Sequence, residues 1–415
     1  MKRQIVLIGE IIILTFMPFA FGSEQLGNVN NLVKLDDYLQ YASRNSANLK
    51  AAFEQWRAAL EEIPQAKVLP DPQVKYNYWT KQSDLQMKQT VEVMQMFPWF
   101  GKIDAGAEAA VKKAAAAKQK YEAARLALFR EVKEAFYEFA YLAGATDIAA
   151  ENLELFKHFE EVAQTKHLTA EAGHPDVIRA QVEIAKMEDV LRGLEQLREP
   201  TASRLRTALT LPADTNLSWP GREDFNVNEL DYERLVNLLR QKNPELAVLN
   251  FEALAAKSKI DLAEKNFYPD IGIGVMYENM DKPGRDGVAM VFQMNLPLWR
   301  GSYSAGVRQA QARKASIEQE RINTENTLLT QASQAHYGYR DSIRKIRLYR
   351  DTLIPKGTEL LRVSEAAYRA GTIDFLSLID AQRMLLEYHL SYQRAQADNR
   401  QKLAELEMLA GTELN

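Results

Sequence analysis

The sequence contains an internal repeat with a period of about 200 residues. Each copy of the repeat includes a helical run far longer than the helices of globular domains. In the first copy, the run from Ile103 to His167 has no proline and is rich in Ala, Glu, Lys and Leu. At 1.5 Å per residue this helix spans about 100 Å. A helix of that length needs neighbouring helices along its surface, so the sequence predicts an elongated, mainly helical protein.

The apolar residues of this run follow the 3-4 spacing of a coiled coil, which predicts helical neighbours. They are Leu128, Val132, Ala135, Phe139, Leu142, Ala149, Leu153 and Phe156. Gly173 supplies a helix end, and Pro175 with Asp176 starts a return helix. The first copy therefore predicts a long helical hairpin with its tip near residue 173.

The second copy repeats this arrangement. It has a helix from about Tyr303 to Ala370, a turn at Gly371 and a return helix from Phe375. Pro355 is expected to kink or break the outgoing helix. We therefore assign residues 23–212 to the first repeat, residues 213–228 to a connecting loop and residues 229–415 to the second repeat, whose tip lies near residue 371.

Each copy also begins with a shorter helix that ends at prolines and is followed by residues alternating between polar and apolar. Ser46 and Asn243 are the expected helix caps. The alternation predicts β-hairpins at residues 73–97 and 271–296. Each strand has one apolar and one polar face, as in a membrane barrel with a wet interior, but four strands are too few to close one. Several chains would have to contribute strands.

Aromatic residues cluster at the strand ends, where an outer-membrane barrel carries its interfacial girdle. They are Tyr76, Tyr78, Trp79, Trp99, Phe100, Tyr277 and Trp299. The alternative is a water-soluble coiled-coil protein whose two hairpins form a small sandwich with these aromatics as its core.

The first 22 residues are typical of a secretory signal peptide. Lys2 and Arg3 precede an apolar stretch that ends in the small-x-small pattern Ala20-Phe21-Gly22. Its uninterrupted part is about half of the ~20 residues that a spanning helix needs, although retention as an N-terminal anchor is the alternative. This leader predicts export from the cytoplasm.

Composition excludes several classes of function. The chain has no cysteine, which rules out disulfides, thiolate metal sites and a lipid anchor on cysteine. Its 52 basic and 56 acidic residues give a net charge of −4, so the chain lacks the excess of positive charge that is typical of nucleic-acid-binding proteins. Glu171 and His174 have the spacing of a di-iron ligand pair, but that pair crosses a glycine turn and has no second copy. We expect no enzyme activity, no cofactor and no metal site.

These features resemble the TolC-like outer membrane efflux protein family over residues 35–414. The strand-to-helix passages Phe97-Pro98-Trp99-Phe100-Gly101-Lys102 and Leu296-Pro297-Leu298-Trp299-Arg300-Gly301 carry the resemblance. The second tip, Tyr368-Arg369-Ala370-Gly371 followed by Phe375 to Gln382, is its most specific part, and the first tip is a weaker copy. The Pro-Trp-Phe-Gly-Lys passage further resembles the branch associated with heavy-metal efflux.

The resemblance implies a homotrimer in the outer membrane, with a twelve-stranded β-barrel and an α-barrel tunnel that projects into the periplasm. It implies a passive exit duct for metal cations or other small toxic compounds. Partners would be a periplasmic adaptor, which grips the tips around Gly173 and Gly371, and an inner-membrane pump of the resistance-nodulation-division class. A secreted or periplasmic scaffold or adaptor without a channel is the competing function.

The resemblance also implies a gate at the tips. Asp380 matches an acidic ring position, and Asp176 and Tyr368 match positions that hold the closed state. Ile373 stands where some relatives have an arginine, so that contact is not expected in this chain. Asp374 could join the acidic ring or could stabilise the start of its helix.

Overall fold

The computed structural model describes residues 34–80, 87–170, 173–221, 228–280 and 286–414. The expected signal peptide, the turn at residues 81–84, residues 281–285 of the second hairpin and Glu171 lie outside these ranges, as does part of the loop at residues 213–228. The first half contains α1 (Leu35–Asn45), α2 (Ala47–Ala66), β1 (Gln73–Tyr78), β2 (Met87–Phe97), α3 (Lys102–Leu168) and α4 (His174–Leu209).

The second half has the same order of elements, except that a π-helical turn divides its outgoing helix into two. It contains α5 (Tyr232–Lys242), α6 (Pro244–Lys265), β3 (Ile271–Met280), β4 (Gly287–Met294), α7 (Arg300–Leu348), a π-helical turn (Tyr349–Leu353), α8 (Ile354–Arg369) and α9 (Phe375–Ala410). The helices α1 and α5 were not predicted. Each is short, and each buries two residues, Tyr38 and Ala42 in α1 and Leu235 and Leu239 in α5.

Local signals correctly marked several helix boundaries. The Ser46 hydroxyl accepts the main-chain N–H of Leu49 at 3.3 Å, and the Asn243 side chain accepts the N–H groups of Glu245 and Leu246. The long helix α3 is unbroken over 67 residues. Before Pro355 the chain forms a π-helical turn, in which the N–H of Ile354 bonds the Tyr349 oxygen. Proline lacks an N–H and crowds the preceding turn, which explains why the regular α-helix is interrupted between α7 and α8.

The two predicted hairpins form a single antiparallel sheet in the order β1-β2-β3-β4. The pairing that joins them is between β2 and β3, with Met94 opposite Gly274 and Met96 opposite Gly272. A β-carbon added at Gly274 would lie 2.6 Å from the Val93 carbonyl oxygen. The glycines therefore allow the close approach that joins the two halves.

Three clusters of buried residues follow the long axis. One packs α1, α3 and α4, and a second packs α5, α6, α7 and α9. The third lies toward the tips and combines both halves, with Phe156 and Phe159 of α3, Val177 of α4, Tyr368 of α8 and Phe375 of α9. In the described part of the chain, no helix is both long and apolar enough to cross a membrane.

Two glycines at helix ends offer a matched test of this packing. Gly411 and Gly371 both have left-handed backbones, with φ of 72° and 73°. A β-carbon at Gly411 would lie 2.4 Å from the Lys242 carbonyl oxygen, whereas none of the described atoms lies within 4 Å of one at Gly371. Alanine costs roughly 1–2 kcal/mol at either site through φ. At Gly411 the clash adds about 1–3 kcal/mol.

We therefore expect Gly411→Ala to lower the thermal unfolding midpoint of the purified protein clearly more than Gly371→Ala. Equal shifts for the two variants would contradict the close contact between the end of α9 and the α5–α6 junction.

Candidate functional site

The tips are built from two turns of different geometry. Gly371 follows α8 at the turn that the sequence predicts, and it has a left-handed backbone. Gly173 was predicted to end α3, but its φ is −81°, and it is the N-cap residue of α4. The left-handed residue after α3 is Ala170, with φ of 61°. Gly173 therefore has no left-handed backbone that would require glycine.

Tyr368 and Asp176, two predicted site residues from different halves, lie together at the tips. The Tyr368 hydroxyl donates to Asp176 Oδ2 over a long 3.5 Å, and the tyrosine is only 4% exposed. Its ring contacts Phe375 at 5.2 Å between centroids, and the Lys166 ammonium lies 5.4 Å from its centre. Burial, and then the nearby Asp176 carboxylate, raise the pKa of Tyr368 to about 12. The phenol thus stays a neutral donor at physiological pH.

The two candidate acidic-ring residues have different surroundings. Asp374 is the N-cap of α9 and accepts the Ser377 main-chain N–H at 3.0 Å. Hydrogen bonds from the Ser377 hydroxyl and N–H lower the pKa of Asp374. Asp374 therefore has the helix-start role that the sequence left open. Asp380 lies further into α9, with its side chain 58% exposed and 3.4 Å from Arg383 Nη1.

An ion pair that the sequence analysis missed joins the two halves near the tips. Arg383 of α9 donates from Nε to Glu183 of α4 at 2.9 Å, and Lys186 also donates to Glu183 at 2.9 Å. The Glu183 side chain is 9% exposed. Burial acts to raise the pKa of Glu183, but the hydrogen bonds from Arg383 and Lys186 outweigh it and lower the pKa. Glu183 could have been found from the sequence by its spacing. It lies three residues after Ala180 and four before Met187, which places a charged residue among the apolar residues of α4.

A second missed contact lies deeper in the same region. The Gln382 amide of α9 donates to the Asn152 side-chain oxygen of α3, and both residues are buried. Asn152 in turn donates to the Ile148 carbonyl at 2.8 Å. Polar pairs in an apolar seam favour one alignment of the helices, because a shift would leave them without partners.

The sheet has one predominantly apolar face, interrupted by Gln89 and Gln95 of β2, and that face is exposed. It carries Val74, Tyr76 and Tyr78 of β1, Val91 and Val93 of β2, Ile271, Ile273, Val275 and Tyr277 of β3, and Val288, Met290, Phe292 and Met294 of β4. On the opposite face the Asn77 amide donates to the Thr90 hydroxyl at 3.1 Å, and Lys75 lies opposite Glu92. The sandwich alternative is therefore wrong, because its aromatic core would be buried.

The aromatic residues form two groups at opposite ends of this face. Tyr76, Tyr78, Trp79 and Tyr277 lie toward the end of the sheet far from the helices, while Trp99, Phe100 and Trp299 follow β2 and β4 at the helical end. Phe100 is 83% exposed, but Trp99 stacks on Tyr268 at 5.1 Å. The main-chain N–H of Trp99 and the Lys102 ammonium both donate to Asp270 Oδ1, at 2.8 and 2.7 Å. This contact fastens the strand-to-helix passage of the first half to the second.

In the described residues, no group of three or more His, Cys, Asp or Glu side chains is arranged to hold a metal ion. The chain has long helical hairpins with packed tips, and its sheet has an exposed apolar face between two aromatic groups. This combination defines the class of outer-membrane channel proteins with a helical extension. The family model described as outer membrane efflux protein matches residues 38–210 and 235–412. The chain belongs to this family, which confirms the resemblance and the expectation that it is not an enzyme.

Similar proteins agree with this assignment. The cobalt-zinc-cadmium resistance protein CzcC of Cupriavidus metallidurans is 22% identical over 371 residues, which cover 86% of this chain and 85% of CzcC. The outer membrane protein VceC from Vibrio cholerae has the same fold, with a TM-score of 0.76, 17% identity and coverage of 92% of this chain and 97% of VceC. CusC matches with a TM-score of 0.76 at 15% identity, over 91% of this chain and 92% of CusC. The predicted mainly helical fold with a small four-stranded β part is thus confirmed, whereas the trimeric barrel stays a prediction.

Proposed function

We propose that this protein is the subunit of a homotrimeric exit duct in the outer membrane. The observation that carries the proposal is the exposed apolar face of a sheet that has four strands in the described ranges, where the outer strands β1 and β4 each pair on one side. An unpaired strand edge with an apolar face is unstable in lipid, because every main-chain polar group there needs a partner. Three copies joined edge to edge would close a twelve-stranded barrel, a size found in the outer membrane.

The long helical hairpins would then continue the pore as an α-barrel through the periplasm. Helix α3 alone measures about 100 Å, enough to project far beyond the membrane. Conduction through such a duct is passive, so energy would come from an inner-membrane resistance-nodulation-division pump. A periplasmic adaptor would link that pump to the tips around Gly173 and Gly371.

Metal cations are the proposed cargo. CzcC is named for cobalt, zinc and cadmium resistance, and it aligns with most of this chain. The Pro98-to-Lys102 passage, which resembles that of the heavy-metal branch, is fastened to Asp270 in the structure. Family membership favours an efflux channel over a periplasmic scaffold.

The test of the proposal is the state of the protein in isolated outer membranes. Unheated samples should migrate on a denaturing gel as a trimer that only boiling separates into monomers, and extraction should need detergent. Release of the protein by salt or buffer alone would end the channel proposal and favour the scaffold.

Within this duct, Asp380 is proposed to line the lumen at the tips as a ring of three carboxylates, which attracts cations. Asp380→Asn should raise the concentration of hexaamminecobalt(III) that half-blocks single channels in planar bilayers by roughly tenfold, because each trimer loses three charges. Asp398→Asn is the control, since this residue of α9 pairs with Arg394 at 2.7 Å far from the tip. Unchanged block in Asp380→Asn would remove Asp380 from the lumen.

A further inference from the structure

The first tip brings two histidines together. His167 lies in the last turn of α3, and His174 is the first residue of α4. Their ring centroids are 5.2 Å apart and their ring planes are inclined by 40°. Both side chains are exposed to solvent. The sequence analysis did not pair them, because they are seven positions apart and no regular helix bridges that spacing across a turn.

The separation of the rings matches a shared metal ion. A zinc ion lies about 2.0–2.1 Å from each imidazole nitrogen, and tetrahedral geometry then puts two ring centroids about 5 Å apart. Both side chains are exposed, so rotation about their side-chain bonds can turn a nitrogen of each ring toward a common point. The neighbouring carboxylate, Asp176, accepts a hydrogen bond from the Tyr368 hydroxyl and lies 3.7 Å from Arg179, so among the residues that the structure describes at this tip the two imidazoles are the ligands on offer.

We infer that His167 and His174 form a two-imidazole site for a divalent transition-metal cation at the tip of the first hairpin. Imidazole favours Zn²⁺, Ni²⁺, Cu²⁺ and Co²⁺ over Mg²⁺ and Ca²⁺, which prefer oxygen ligands. Water completes the coordination, so the ion exchanges readily and the site is not a closed structural centre.

Such an ion would clamp the end of α3 to the start of α4. The turn between them holds the left-handed Ala170, and side-chain packing joins the two helices further from the tip. An ion bound to both rings stabilises the folded turn by RT ln(1 + c/Kd), where c is the concentration of free ion, so the effect grows with that concentration. The consequence for the gate rests on the proposed function, because this tip is where the adaptor would act, but binding itself does not.

The experiment is a Zn²⁺ titration of the purified full-length protein in detergent by calorimetry, with hydrogen exchange as a second readout. We expect one Zn²⁺ per chain, and both His167→Gln and His174→Gln should weaken binding by at least about tenfold. Zn²⁺ should slow amide exchange at residues 169–177 in the unaltered protein but in neither variant. His158→Gln is the control, because His158 is an exposed histidine of the same helix.

Failure to bind one Zn²⁺ per chain, unchanged affinity in either tip variant, or an equal loss in His158→Gln would overturn the site. Equal binding of Mg²⁺ would also overturn it, since oxygen ligands would then be responsible. The titration involves no pump, adaptor or ion current. A negative titration would therefore not contradict the proposed channel. If the channel proposal failed, the titration would still test whether the two histidines bind a metal ion.

Discussion

Phe292→Arg is expected to prevent the protein from accumulating as a trimer in the outer membrane, whereas Gln293→Arg is expected to be tolerated. Phe292 is 70% exposed on the apolar face and lies opposite Ile273, midway between the two aromatic groups. Arginine on the lipid face of a barrel costs about 2–4 kcal/mol at the membrane centre, and a trimer carries that cost three times. Gln293 is the next residue and points to the opposite face.

The measurement is the amount of boiling-sensitive trimer in washed outer membranes, relative to the unaltered protein. Both variants carry the same added charge on the same strand, so a general effect of arginine on β4 would lower both equally. Equal loss, or normal insertion of Phe292→Arg, would show that the exposed apolar face does not contact lipid. In that case the duct would lose its main physical support.

Arg383→Ala is expected to loosen the tips and raise the open probability of single channels in the absence of an adaptor. Removing the guanidinium leaves the largely buried Glu183 with Lys186 as its remaining ionic partner and breaks the link between α4 and α9. A hydrogen bond to a charged group contributes about 1.5–3 kcal/mol. Arg383 is 44% exposed, so screening reduces this to about 1–2 kcal/mol, or roughly a 5–30-fold change in population.

Lys186→Ala is the matched control for Arg383→Ala. Lys186 also donates to Glu183, but it lies on the same helix and does not bridge the two halves, so its loss should change the open probability little. Single-channel recording and hydrogen exchange at residues 177–187 would measure both variants. Equal effects would mean that the charge of Glu183, and not the bridge, controls the tip.

The same ion pair predicts a pH dependence. Because the pKa of Glu183 is lowered in the folded protein, its contribution to stability is complete above the ordinary glutamate pKa of about 4.3 and is lost as the pH falls through the lower, folded value. Open probability should therefore be insensitive to Glu183 between about pH 5 and 8. It should rise only in stronger acid, where the unaltered protein approaches Arg383→Ala. A rise near pH 6 would point to another group.

Local signals anticipated much of the fold. A long run without proline predicted α3, alternation predicted the four strands and their apolar face, and capping residues marked the starts of α2 and α6. These features depend on residues a few positions apart, which is why one sequence suffices to read them. The short helices α1 and α5 were missed, because most of their stability comes from packing two buried residues each on other elements.

The candidate gate was only partly predictable. Tyr368 and Asp176 were suggested by resemblance, and the structure brings them into contact. The Arg383 to Glu183 pair and the Gln382 to Asn152 pair were missed, because each joins residues some 200 positions apart or more. For Asp374 the sequence left two roles open, and the hydrogen bond from the Ser377 N–H identifies it as a helix cap.

The sequence by itself determined the periodicities of this protein: long helices in hairpins, short two-faced strands, and turns at glycine and proline. Only the tertiary structure decided that β2 pairs with β3, that an ion pair ties one half to the other, and that two histidines meet at a tip. The reason is that hydrophobic period and capping act within one or two turns of chain, whereas these contacts depend on the path of the whole backbone.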